Sequence, residues 1–403
     1  MLRSSFGIGI TALSLAWVLG AASAEAQESA YLRTSCTGMG SNCFTTVAAL
    51  DSWIWNTRQP SSSAPLVVEI GVGSFSGNLT CPTGEGHVTY RGVGRDRSIL
   101  TASSGLVYAA DGCEALGFQD LSMRSDVGIA VTWQNGGSSS WTDVDLRGVF
   151  TPFYNEGCSG AGSDPPTGEH FFWGVKFDSR STGLYAECGD LWLYGSDVFV
   201  RPEMGDLAYF NVYVGVWSAF RSSVRVFGST IRVTNAATNT AAPLIGVRVG
   251  DSQDFFQADG YGEFHMHGGI INVDALGIAG VDAQAIEVDD NGVGDASAHA
   301  PGTAFTMRAG TGGKVVRAAG SGTLRTPYLW EAGNRTPLAL VSPTFESSDG
   351  ADLFVETDCG AGDPCDGTTS SAEPHLMIYW SACGAANPWW DTVENACRDA
   401  GTE

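Results

Sequence analysis

From Pro65 to Leu100 the chain runs in short stretches with a period of two, cut by glycines. Leu66, Val68 and Ile70 alternate with Val67 and Glu69, and Val88 and Tyr90 alternate with Thr89 and Arg91. That period belongs to an extended strand with one buried and one wet face, and Gly71, Gly73, Gly77, Gly84, Gly86, Gly92 and Gly94 punctuate it as turns. No spacer is long enough for a crossover helix, so the stretch predicts one coil of a β-solenoid rather than a doubly wound sheet. The pattern returns at Leu116–Met123, Gly128–Trp133, Trp141–Gly148 and Phe171–Phe177, while the Gly-, Ser- and Pro-rich Asn155–His170 reads as a loop leaving the solenoid. LWLYGSDVFV (Leu191–Val200), VRVFGSTIRV (Val224–Val233) and FHMHGGIINV (Phe264–Val273) then align without gaps, at intervals of 33 and 40 residues. Gly195, Gly228 and Gly268 are expected where the backbone bends between two faces, with Val224, Val226, Ile231 and Val233 inward and Arg225 and Arg232 outward.

Only one segment has helical spacing. In Ser35–Gln59, Phe44, Val47, Leu50, Ile54 and Trp55 recur near i, i+3, i+4, which predicts a helix that caps the otherwise open first coil. Residues 35–64 thus form a cap and linker, 65–341 the parallel β-helix, and 342–403 a Cys-rich C-terminal cap or small module. Ahead of them, Met1-Leu2-Arg3, an apolar run from Phe6 to Leu19 and the small residues Ala22-Ser23-Ala24-Glu25-Ala26 have the form of a bacterial-type signal peptide over residues 1–26. The expectation is a secreted protein, periplasmic or extracellular, with a mature start near Glu25 or Gln27 and no membrane association after signal removal.

The ten cysteines fit an oxidising compartment. Pairing of neighbours is expected (Cys36/Cys43, Cys81/Cys113, Cys158/Cys188, Cys359/Cys365, Cys383/Cys397), although spacing alone does not fix the connectivity. The formal net charge of −23, from 21 basic and 44 acidic residues, excludes nucleic acid and anionic membrane as partners, because both demand a basic face.

The helix, then VVEIGVGSFSGNLTC, then HVTYRGVGRDRSIL resembles the start of pectin methylesterases and of the wider pectin lyase-like superfamily over about Phe44–Ser125. The resemblance implies an all-β, right-handed parallel β-helix acting on pectin. It does not extend to the catalytic set. The general-acid aspartate of those enzymes falls on Thr151, the neighbouring glutamine on Phe150, and a further glutamine is missing at Gly128-Ile-Ala-Val131. Threonine exchanges no proton near neutral pH and phenylalanine donates nothing to an oxyanion, so orthodox methylesterase chemistry is not expected. Polygalacturonase and pectate lyase motifs have no match.

Other candidates come from the residues themselves. Glu263, His265 and His267 alternate with Phe264 and Met266, which on a strand sets the two imidazoles and the carboxylate about 7 Å apart on one face. His265 and His267 are candidate metal ligands and Glu263 a candidate base. Asp289 and Asp290 are candidate catalytic carboxylates, and Asp289-Asp290-Asn291-Gly292 a candidate calcium ligand run short of an EF-hand. Trp141 shares an alternation with Asp143 and Asp145, making these three a candidate outward sugar-binding set; Trp133, Trp173, Trp192 and Trp217 are expected in the core. The functional expectation is a carbohydrate-directed protein that binds, and in one reading modifies, an extracellular polysaccharide. Two alternatives stay open: a non-catalytic structural or adhesive solenoid, and a glycoside hydrolase or lyase with an acidic site.

Overall fold

Alternation of the predicted kind builds a right-handed parallel β-helix. The computed structural model describes residues 28–82, 84–110, 113–126, 128–134, 137–156, 168–203, 212–234, 242–250, 262–274 and 283–289, and beyond them a series of strands from Ser297–His299 to Ala396–Arg398; side chains are described as far as residue 287. In each coil the chain passes along three faces, here A, B and C, and each strand pairs in parallel with the strand one coil away. Face A is made by Leu66–Ile70 in coil 1, then Val88–Arg91, Ala115–Gln119, Ser138–Thr142, Glu169–Trp173, and residues 189–194, 221–227 and 263–267 in coils 2 to 8. Face B opens with Gly73–Ser76 and face C with Leu79–Cys81, and both repeat in the same way.

The interior is a stack of like on like. Tyr90, Phe118, Trp141 and Phe172 occupy successive inward positions of face A, with ring centroids 5.2, 4.1 and 6.0 Å apart and planes within 18° of parallel. Leu191/Leu193, Val224/Val226 and Phe264/Met266 continue those inward columns, all fully buried. The three repeated decapeptides lie in register, Leu191 beside Val224 beside Phe264 and Val200 beside Val233 beside Val273. Ile231 and Val233 face inward and Arg232 is exposed, as the alternation predicts.

The corner between faces A and B is the same in most coils: one left-handed residue, Asp120 (φ 53°), Asp143 (53°), Gly174 (61°), Gly195 (54°), Gly228 (56°) or Gly268 (68°). Glycine enters that conformation at no steric cost and aspartate tolerates it. Buried serines satisfy the corner's backbone groups. Ser98 Oγ donates to the carbonyl of Ile70 or Gly71 at 2.9–3.0 Å, and Ser196 and Ser229 are bonded to backbone in later coils.

Both ends differ from expectation in detail. Glu28–Leu32 is a strand, paired in parallel with Leu66–Ile70, so face A gains a rung before coil 1. The helix is shorter than Ser35–Gln59: α1 spans Val47–Trp53 and widens into a π-type turn over Ile54–Arg58. Its start is set by Thr46, extended at φ −133°, whose Oγ1 accepts from Ala49 N–H at 3.3 Å, and by Cys43–Phe44 being held as a strand against Tyr31–Leu32. α1 does cap coil 1, because the Asp51 carboxylate accepts from Thr80 N–H and Oγ1 at 2.9 and 2.8 Å. At the other end, parallel pairing continues past 342 through Thr344–Ser347, Asp352–Glu356 and His375–Tyr379; only Trp389–Asp391 and Ala396–Arg398 turn antiparallel. Disulfides join Cys36–Cys43 and Cys81–Cys113. Cys158, Cys359, Cys365 and Cys383 lie outside the described residues, as do the side chains of Cys188 and Cys397 and the whole of residues 1–26, where a signal peptide was expected.

Candidate functional site

Outward positions on face A change abruptly along the helix. In coils 3 and 4 they are small or polar: Gly117 and Gln119, then Ser138, Ser140 and Thr142. From coil 5 they become Glu169, Phe171 and Trp173; then Asp190, Trp192 and Tyr194; then Ser223, Arg225 and Phe227; then Glu263, His265 and His267. The inward neighbours between them, from His170 and Phe172 to Phe264 and Met266, are buried, which fixes the outward direction of these side chains.

The outer rings stack. Trp173, Tyr194, Phe227 and His267 form one column, with centroids 5.9, 5.0 and 5.2 Å apart and planes within 11° of parallel. Phe171 and Trp192 form a second, 6.2 Å apart, on which Arg225 continues with its guanidinium 4.4 Å from the Trp192 ring centre. Rings within a column cover one another's faces and turn only edges to solvent, so most of the surface is closed to stacking by a ligand. The exception is the first rung. Phe171 and Trp173 lie parallel, 9° apart, side by side at 5.5 Å, and their register neighbours in coil 4 are Ser140 and Thr142. Trp173 is 40 % exposed, more than any other tryptophan among the described residues. The result is a ledge: a flat aromatic wall one coil high above a floor of small residues.

A third column runs beside the rings and carries carboxylates: Glu169, Asp190 and, past Ser223, Glu263. Asp190 accepts from Arg225 at 3.1 Å, and Glu263 sits 3.7 Å from His265 Nε2. Partial burial pushes the His265 pKa down, opposed by the Glu263 charge, and burial raises that of Tyr194 against the pull of Arg225.

The candidates named from sequence are distributed as follows. Glu263, His265 and His267 do share one outward face. His267 is exposed and stacked on Phe227, and among the described residues no three His, Cys, Asp or Glu converge as a metal site. Asp289 closes the face C strand of the coil whose face A strand Glu263 opens; its side chain and all of Asp290, Asn291 and Gly292 lie outside the described residues. Trp141 is a correction. It is fully buried in the inner ladder, and its Nε1 donates to Ser139 Oγ at 2.7 Å. The alternation that seemed to join it to Asp143 and Asp145 is reset by the left-handed turn at Asp143, and both aspartates instead pair with Arg95 at 3.3 and 3.2 Å. Trp173 and Trp192, expected inside, are outside. The signal was present in the aligned repeats, whose second and fourth positions read Trp-Tyr, Arg-Phe and His-His.

Thr151, where the resemblance would require a general acid, is buried and donates to its own strand at Phe153 O, 3.0 Å away. The outer side of face C around it is covered. Tyr185, Trp217, Arg248 and Glu287 are all buried there, Arg248 lying 3.7 Å from Glu287 and over the Trp217 ring, while Tyr154 and Tyr185 donate to Glu187. Face C therefore carries a second hydrophobic layer in place of an open groove.

The sequence matches no family model and no curated protein. Solved structures with a similar fold include the pectin methylesterase PemA from Erwinia chrysanthemi, at 13 % identity and a TM-score of 0.41 over 65 % of this chain and 79 % of that one. A pectin methylesterase from carrot follows at 13 % identity and a TM-score of 0.33, over 84 % and 85 % of the two chains. The catalytic unit of a GH87 α-1,3-glucanase from Streptomyces thermodiastaticus has 14 % identity and a TM-score of 0.30, over 73 % and 64 %.

Proposed function

We propose that this protein binds an extracellular polysaccharide on the outer surface of face A, with one sugar ring against the wall of Phe171 and Trp173. The observation that carries this reading is the uncovered first rung of the outer ring columns, standing in register with Ser140 and Thr142. Aromatic faces suit the apolar faces of pyranose rings, and the neighbouring hydroxyls and carboxylates of Ser138, Ser140, Thr142 and Glu169 offer the hydrogen bonds that orient a sugar. The two disulfides suit the oxidising compartment in which such a polymer is met. No helix among the described residues is long and apolar enough to cross a membrane.

The test is retention of the purified protein on a panel of neutral and acidic polysaccharides, with Trp173→Ala beside it. Truncating a central aromatic contact is expected to cost about 2 kcal/mol, roughly thirtyfold in affinity, while leaving the unfolding midpoint nearly unchanged. Retention equal in both proteins would refute the ledge. Retention of neither would favour a structural or adhesive solenoid.

A catalytic reading has one observation in its favour: Glu263 opens the face A strand of coil 8 and Asp289 closes its face C strand, so the two flank successive corners, one coil apart, along the same edge of the solenoid. If the panel yields new chain ends, Glu263→Gln should abolish them without weakening retention.

A further inference from the structure

Although acidic residues outnumber basic ones two to one in this chain, face B gathers cations. Arg124 and Arg147 are register neighbours in coils 3 and 4, about 5 Å apart along the solenoid. Like charges directly opposite each other on adjacent strands destabilise a sheet, and neither arginine has a carboxylate within ion-pairing distance among the described residues. The next residue in the column is Asp178, but its carboxylate is engaged by Arg201. Arg180 is likewise paired with Glu203 at 2.9 Å. Arg147, Asp178, Arg180, Arg201 and Glu203 together line an open cavity of about 280 Å³ where face B turns into face C. The Asp178 pair engages one terminal nitrogen of Arg201, and a guanidinium carries five N–H donors. Among the described residues the lining of that cavity holds three guanidinium groups and two carboxylates, and a fourth guanidinium, Arg124, follows one rung away.

We propose that this cavity is an oxoanion site that takes a single carboxylate or sulfate ester carried on a sugar, with Arg147 as its principal donor. Guanidinium forks match both groups in bidentate geometry. The volume suits one substituted sugar unit rather than a polymer groove, being just below the usual range of ligand pockets. The net charge of −23 repels densely charged polyanions at a distance, whereas an isolated anionic group on an otherwise neutral glycan reaches the cavity with little opposing field. Bound there, the anion relieves the repulsion between Arg124 and Arg147. The site lies on a different face from Phe171 and Trp173 and does not depend on them.

Thermal unfolding and calorimetric titration of the whole mature protein test this, at fixed low ionic strength, with glucuronate, glucose 6-sulfate and glucose as probes. At least one anionic probe should raise Tm where glucose does not, and the better of the two identifies the group the site prefers. Arg147→Gln should weaken that probe at least tenfold while leaving or raising the Tm of the unliganded protein, since it removes a like charge. Trp173→Ala should leave the titration unchanged, so failure of the ledge and failure of this cavity are distinguishable. Equal behaviour of all three probes would overturn the proposal. So would full binding in Arg147→Gln, or a lowered unliganded Tm in that variant, which would make Arg147 a structural residue.

Discussion

Replacing Trp141 by Ala is expected to lower the free energy of unfolding by about 3–5 kcal/mol, the usual cost of emptying a large aromatic site in a closed core. The site has little room to collapse. Trp141 is clasped between Phe118 at 4.1 Å and Phe172 at 6.0 Å in the inner ladder, with the Phe153 ring edge-on at 5.9 Å. Because each coil leans on its neighbours, the gap breaks the ladder between coils 3 and 5 instead of denting one surface. The indole also donates to Ser139 Oγ, so the substitution leaves a buried hydroxyl one partner short. Chemical denaturation of wild type and Trp141→Ala measures the loss. The same variant separates two roles for the residue. A sugar-contacting tryptophan would lose glycan retention and keep its stability; the core tryptophan seen here should do the reverse at temperatures where the variant is still folded.

That reversal shows how far the sequence could be read. Within a strand, alternation gave the correct faces: Val224 and Val226 inside with Arg225 outside, Phe264 and Met266 inside with Glu263 and His265 outside. The glycine before each second half-repeat stands at the corner expected of it, and two of the neighbouring cysteine pairs are joined. What alternation does not carry is parity across a turn. One left-handed residue at Asp143 separates Trp141 from Asp145, and the inward-outward sense on the two sides of it is unrelated. Register between coils is equally hidden. Nothing in the string says that Trp173 will lie beside Tyr194 and Thr142, because the connection over residues 157–167 has no fixed length per coil. The outer side of face C breaks the rule in another way: Val214, Trp217 and Ile245 are apolar on a face that alternation assigns to water, and they are buried in a second layer. The ledge and the basic cavity depend on register between coils, so both became visible only once the chain was wound.

Lowering the pH from 6.5 toward 4, where most surface carboxylates are still charged, should already cost this protein stability, and the cause should be one histidine. His170 was expected at the end of a loop but lies on the inward side of face A in coil 5, fully buried. Trp133 and Phe153 meet its ring edge-on at 4.9 and 5.3 Å, and Ser139 Oγ lies 2.8 Å from Nδ1. The Trp141 indole can only donate, so Ser139 Oγ accepts from it and bonds Nδ1 with its remaining capacity, while the buried Nε2 has no hydrogen-bond partner among the described residues. Such a site has nothing to stabilise an imidazolium, and burial holds the pKa down to about 3 from the ordinary 6.5. The folded chain therefore refuses a proton that the unfolded chain accepts below pH 6.5. Stability is fully present above that value and is lost as the pH falls toward 3, by about 5 kcal/mol over the whole interval at ~1.4 kcal/mol per pH unit. Unfolding free energies between pH 7 and 4 should follow this slope in the wild type. His170→Leu should start lower at pH 7, because the buried Ser139 hydroxyl loses its imidazole partner, and should then lose much less on acidification. A variant as acid-sensitive as wild type would place the proton uptake elsewhere and remove His170 as its cause.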